Sequence, residues 1–176
     1  MFRARFVFAA FMAVGSSCAY GANVVTVFTL DNGVAGVESG TFSIGSPSLA
    51  DINNLPGSGN SFHYWLQFFE PSLSGTYIFG MSSAPIDTVL VLYQGAFDPL
   101  NPSVNSLALN DDYENVRPDG VTVTTCGDDA TRCPQLTQGL LQGTRYTVVV
   151  TTYSADTPIP PPITFYVYGE PISVGG

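Results

Sequence analysis

The chain has 176 residues, 45% of them apolar and 12% aromatic, enough to build one packed core but not two comfortable domains. Five arginines and no lysine face fourteen acids, a formal charge of −9, with one histidine and three cysteines. That balance excludes an electrostatic grip on nucleic acid, which needs a basic surface, and leaves few side chains for most metal- and base-dependent catalysis.

In chain order, the first segment reads as an export signal. Arg3 and Arg5 precede the nine-residue apolar run Phe6 to Val14, and small residues lead to Ala19-Tyr20-Gly21, a small-x-small cleavage pattern before Ala22. The run is far too short for a permanent membrane span. Cys18, after Gly15-Ser16-Ser17, offers the alternative of a lipid-modified cysteine in the manner of bacterial lipoproteins. Residues 1–21 are thus expected to be a signal peptide and 22–176 a single domain. Cleavage leaves Arg117, Arg132 and Arg145 against all fourteen acids, a formal charge of −11, and no stretch long enough to cross a membrane.

The rest reads as strands. Residues 24–30 are Val- and Thr-rich. Residues 62–69 put Phe62, Tyr64, Leu66 and Phe68 on one side and His63, Trp65, Gln67 and Phe69 on the other. Residues 76–81 align Tyr77, Phe79 and Met81. Residues 86–93 are apolar on both faces from Val89 to Tyr93, as for a strand covered on both sides. Residues 121–125 (VTVTT) repeat the β-branched habit, residues 144–153 alternate Tyr146, Val148 and Val150 with Arg145, Thr147 and Thr151, and residues 163–168 (ITFYVY) close the series. No window sustains helical periodicity; the best attempt, Leu136, Leu140 and Leu141, is interrupted by Gly139 and closed by Gly143. Pro-, Gly-, Asn- and Asp-rich punctuators separate the runs, and Pro158 to Pro162 is expected to stiffen the entry to the last strand, the alternative being a recognition motif for Pro-binding domains. The expected fold class is all-β: an antiparallel two-sheet sandwich, jelly-roll-like.

Once Cys18 leaves with the signal, Cys126 and Cys133 remain. In an oxidising compartment such a pair, without further ligands or C-x-x-C spacing, is expected to form a disulfide. By loop-closure entropy so small a ring contributes about 2.5 kcal/mol.

Several elements, in order, carry a family likeness: Gly75-Thr76-Tyr77 leading a strand, Asp87-Thr88 opening the buried one, Asn110-Asp111-Asp112 after a short apolar run, and Gly143-Thr144 before the Tyr146-to-Val150 strand. Over about residues 60–170 the chain resembles the bacterial pre-peptidase C-terminal (PPC) domain, a β-sandwich of exported proteins. The resemblance implies an accessory module that assists targeting, solubility or polymer binding, and some members bind calcium.

Calcium takes six to eight oxygens, and loop carboxylates supply several without a rigid cage. The densest oxygen cluster is Asn110-Asp111-Asp112-Tyr113-Glu114-Asn115, with Asp119 nearby. The twelve-residue calcium loop is absent, so a site here is nonlocal, with Asp87 as the natural partner. The candidate metal ligands are Asp87, Asn110, Asp111 and Asp112, and calcium is the candidate cofactor. The alternative is that Asp87 caps a turn while the other acids are solvated. Asp128 and Asp129, inside the cystine ring with Arg132, form either a second cation site or, preferably, an acidic tip.

No catalytic residue stands out. His63 has no G-x-S-x-G serine to serve. With Trp65 it is the candidate ligand platform, although the same face is expected to be core if it meets the other sheet. The function expected is a secreted, non-catalytic binding or structural module, with calcium as its candidate cofactor, at the surface, in the periplasm or in the medium of a bacterium. Its partner would be a polysaccharide or an extracellular or cell-surface protein. The alternatives are a small glycosidase-type hydrolase, marked by two carboxylates in an aromatic-lined cleft, and an inhibitor using the 126–133 ring as a wedge.

Overall fold

The computed structural model describes residues 23–43, 61–113, 117, 118 and 120–174; the signal segment, Cys18, Glu114, Asn115 and Asp119 lie outside them. Among the described residues run ten strands: β1 (Val24–Leu30), β2 (Val37–Ser43), β3 (Ser61–Pro71), β4 (Gly75–Ser83), β5 (Thr88–Gln94), β6 (Ser106–Asn110), β7 (Gln135–Leu140), β8 (Tyr146–Thr152), β9 (Ile163–Gly169) and β10 (Ile172–Val174). A single 3-10 turn spans Ala130–Arg132. The fold is the expected all-β arrangement of two antiparallel sheets. One sheet has the order β1-β9-β4-β7, the other β10-β3-β8-β5-β6, with β2 also paired to β3. The long β3 serves two neighbours on one edge: β2 covers Ser61 to Gln67, and β10 covers Phe69 to Pro71.

Alternation along the strands builds the core. Phe79 and Met81 of β4, Leu90 and Leu92 of β5, Val148 and Val150 of β8, and Phe165 and Val167 of β9 meet between the sheets with Trp65 and Phe69 of β3. Each large apolar side chain so buried stabilises the fold by about 1.5–3 kcal/mol. The apolar run of β5 has a second use. Val89, Val91 and Tyr93 point to the outer face of the larger sheet and join Phe62, Leu66, Val149 and Phe42. Phe97, from the connection after β5, roofs this cluster edge-on to Tyr64 at 4.9 Å and to Phe42 at 5.7 Å. Tyr93 Oη donates to Pro102 O at 2.7 Å, fixing the roof at its far end. The larger sheet is therefore covered on both faces, which is why β5 has no polar side.

Gly80 sits directly opposite Tyr166 on β9. A Cβ there would collide with the Tyr166 phenol, so the glycine is the notch into which that ring lies. Tyr166 Oη reaches Gln135 Oε1 across the strand end, satisfying two buried polar groups together.

One expectation fails. Residues 121–125 form no strand; Thr124 N donates to Ser82 O at 2.9 Å and Ala84 N to Thr125 O at 3.0 Å, so the segment runs beside the end of β4 without a ladder. Its alternation is Val against Thr, and of its side chains Val123 alone packs against the core, so no apolar face pulls it into a sheet. The segment of Leu136 and Leu140 is not helical, as expected, but it forms a strand that the sequence reading did not name, β7, paired with β4. A spacing of four puts two leucines on one face of a helix and also on one face of a strand, and Gly139 tips the balance toward extension.

Candidate functional site

The register of β5 against β6 pairs Leu90 with Asn110 and Leu92 with Ala108. Extending that antiparallel register brings the residue just before β5 beside those just after β6. Asp87 is the former, and Asp111 and Asp112 are the latter. Their carboxylates each offer an oxygen within 4.8 Å of the other two. Asp87 and Asp111 are half-buried and Asp112 is exposed. Asp87 Oδ1 and Asp111 Oδ1 are buried without a hydrogen-bond partner among the described residues. Three acids crowded this way oppose their own ionisation. Burial first, then the Asp112 and Asp87 charges, push the Asp111 carboxyl up to about 6. Burial and Asp112 likewise raise Asp87, with Arg132 partly opposing them.

Asn110 is placed differently. Its side-chain oxygen accepts from Gln135 N at 3.0 Å, tying the end of β6 to the start of β7. The three aspartates, with their two orphaned buried oxygens, are a donor set of the hard, all-oxygen kind that suits calcium, with a combined charge a dication would largely offset.

The cystine ring braces this corner from both sides. Cys126 and Cys133 are bonded, with Cα atoms 5.0 Å apart. Gly127 N donates to Ala84 O at 3.1 Å on the Asp87 arm, and Tyr113 N donates to Thr131 O at 3.0 Å on the Asp111–Asp112 arm. Gly127 has φ +71°, and a Cβ there would lie 3.3 Å from the Asp87 amide nitrogen. Only glycine supplies both the backbone conformation and the close approach. Within the ring, Asp128 pairs with Arg132 at 2.7 Å and Asp129 Oδ1 accepts from Thr131 N at 2.9 Å, so both acids have local partners and form the acidic tip.

Sequence reasoning missed Arg117. Its Nη2 donates to Cys133 O at 2.7 Å, Tyr113 O at 3.2 Å and Ala130 O at 3.3 Å, and its guanidinium lies 5.1 Å from the Tyr113 ring centroid. One cation thus stitches the Asp112-bearing loop to the ring. The only available signal was scarcity, since just three arginines follow residue 21.

His63 and Trp65 lie elsewhere. Trp65 is 7% exposed and belongs to the core between the sheets, its Nε1 donating to Ile159 O at 3.2 Å. It is not an exposed platform. His63 is half-buried beside it, and both line a pocket of about 260 Å³ at the corner between β2, β3 and the Pro158–Ile159 segment. No carboxylate is among its lining residues. Among the described residues, the acid cluster and this pocket lie at different places.

Fold and site together define a β-sandwich with a three-aspartate corner braced by a cystine ring. No family model matches the chain, and no curated protein does. Among solved structures the chain is similar to CBM35 from Cellvibrio japonicus Abf62, at 14% identity and TM-score 0.38, covering 86% of this chain and 99% of that one. It is similar also to the K1 cleaved adhesin domain of Lys-gingipain from Porphyromonas gingivalis W83, at 14% identity and TM-score 0.36, covering 87% and 99%. The K3 cleaved adhesin domain of the same protein aligns at 16% identity and TM-score 0.29, covering 78% and 71%. None of the three is a PPC domain. Likenesses this distant concern β architecture, and no ligand or activity is carried over from them.

Proposed function

We propose that the protein is an exported, non-catalytic binding or structural module whose Asp87–Asp111–Asp112 corner holds calcium, and that it acts on a surface polymer or a partner protein. The observation that carries the metal is the pair of buried, partnerless carboxylate oxygens within a cluster of three acids. An ion that accepts oxygen ligands removes both the orphaned acceptors and the like-charge repulsion. Calcium bound there joins the start of β5 to the end of β6, so the metal acts as a clasp on the hairpin. The likeness of the sequence to PPC domains, some of which bind calcium, supports the same reading. The disulfide supports export, because such bonds persist in oxidising compartments.

Thermal melting tests the proposal. The mature protein is stripped with chelator and melted with and without millimolar calcium. A ligand held only by the native state at a hundredfold excess over its Kd adds about 2.7 kcal/mol, a rise of roughly 5–10 °C for a domain of this size. An unchanged melting curve removes calcium from the account.

A further inference from the structure

We infer that the pocket at the β2–β3 corner takes one uncharged, ring-shaped polyol, that is, a single glycosyl unit. The pairing Ser39↔Trp65 and Thr41↔His63 sets four side chains in two cross-strand pairs on the face of the larger sheet that looks toward the other sheet. At this corner the gap between the layers is bounded by the chain at Pro158 and Ile159, which leaves the 260 Å³ pocket. Its walls are of two kinds. Pro158, Ile159 and the edge of the Trp65 indole are apolar. The exposed Ser39 and Thr41 and the half-buried His63 line it as well, and their side chains make no hydrogen bond to one another or to other described side chains.

Exposed hydroxyls on an edge strand, set beside a half-buried imidazole and an apolar wall, are the counterpart of a ring with one apolar face and a rim of hydroxyls. No carboxylate and no arginine lines the pocket, in a chain with fourteen acids, so neither a cation nor an anion finds its opposite charge there. The volume falls below the usual range for drug-sized ligands and admits one ring. The Trp65 Nε1 bond to Ile159 O fixes the apolar wall before any ligand arrives. The site shares no residue with the aspartate corner, so the inference goes beyond the calcium reading and stands without it.

His63 and Trp65 are the only histidine and the only tryptophan of the chain, so one imidazole and one indole N–H signal report on this pocket alone. The experiment is an NMR titration of the full mature protein with glucose, galactose and xylose, with a neutral trisaccharide, and with galacturonate as the charged control, each in chelator and again with calcium. Both signals are expected to shift saturably with a neutral sugar, at a Kd of about 1 mM for a ligand of about a dozen heavy atoms. The shift should persist in chelator. Tighter binding of the trisaccharide assigns the unit to a saccharide chain, and equal binding assigns it to a free monosaccharide. Thr41→Val, on an exposed strand position, should weaken the best ligand about 3–10-fold, the worth of one hydrogen bond. Unmoved signals with every neutral sugar overturn the proposal, as does galacturonate binding as tightly as the neutral sugars. A response confined to calcium and to the aspartate corner would sink the pocket while leaving the calcium clasp intact.

Discussion

Without a cation, Asp111 keeps its proton up to about pH 6, because burial and two neighbouring aspartates disfavour its charge. Its folded value lies above the roughly 3.9 of an unfolded aspartate. The stability it contributes is therefore present below about pH 4 and is lost as pH rises through about 6. Above that, the metal-free protein carries an ionised carboxylate it would rather not hold. Two outcomes follow for one residue. Asp111→Asn should raise the melting temperature of the chelator-treated protein at pH 7.5, by about 1–3 °C, while abolishing the response to calcium. In the unsubstituted protein the calcium-induced rise should shrink below about pH 6, where protons compete for the same oxygens. Differential scanning calorimetry across pH 5–8 checks both, and an Asn variant that melts lower without calcium would show that the carboxylate has a native partner instead. Asp87, Asp111 and Asp112 were named from the sequence because residues 110–115 hold its densest run of oxygen-bearing side chains and a lone charge at the head of a buried strand is costly. Arg117 and the true partner of Asn110 were not, since nothing local ties an arginine or an amide to carbonyls and amides across the chain.

Among the elements, the cystine ring decides how firmly the acid corner is held. Its bonds reach Ala84 on one arm and Tyr113 on the other, and Arg117 fastens the same loop to Cys133 and Ala130. Opening the ring by the double substitution Cys126→Ser and Cys133→Ser should lower stability by about 2.5 kcal/mol through the restored freedom of the unfolded chain. It should also weaken calcium about tenfold, as one or two of the hydrogen bonds that place the arms are lost. Calorimetric titration of the folded variant at low temperature reads the second effect apart from the first. The ring itself was foreseeable from two surviving cysteines, but its contact with the acids was not. Strand β2 was equally hidden. Of its seven residues Val37 and Phe42 alone are large and apolar, and the strand forms because β3 offers a long edge to pair with.

At the scale of the molecule, one face of each sheet is closed against the other, and the larger sheet is closed again by its roof. Phe79, fully buried at the centre of β4 and 5.4 Å from the Phe69 ring, belongs to the layer that joins the sheets. Phe79→Ala should cost about 3–5 kcal/mol in urea unfolding, with the m-value unchanged. A loss below about 1 kcal/mol would mean that the sheets do not meet where the structure has them meet. The amino-acid sequence by itself determined the strand-rich class, the disulfide and the strongly acidic balance, because alternation, cysteine count and charge are local quantities. Tertiary structure alone decided that Leu136 and Leu140 lie in a strand, that residues 121–125 do not, that Trp65 is core, and that a polar-rimmed pocket opens beside it. Those outcomes depend on which edge pairs with which and on what covers each face, and burial on one side of a sheet is a property of the opposing layer, not of the strand that is buried.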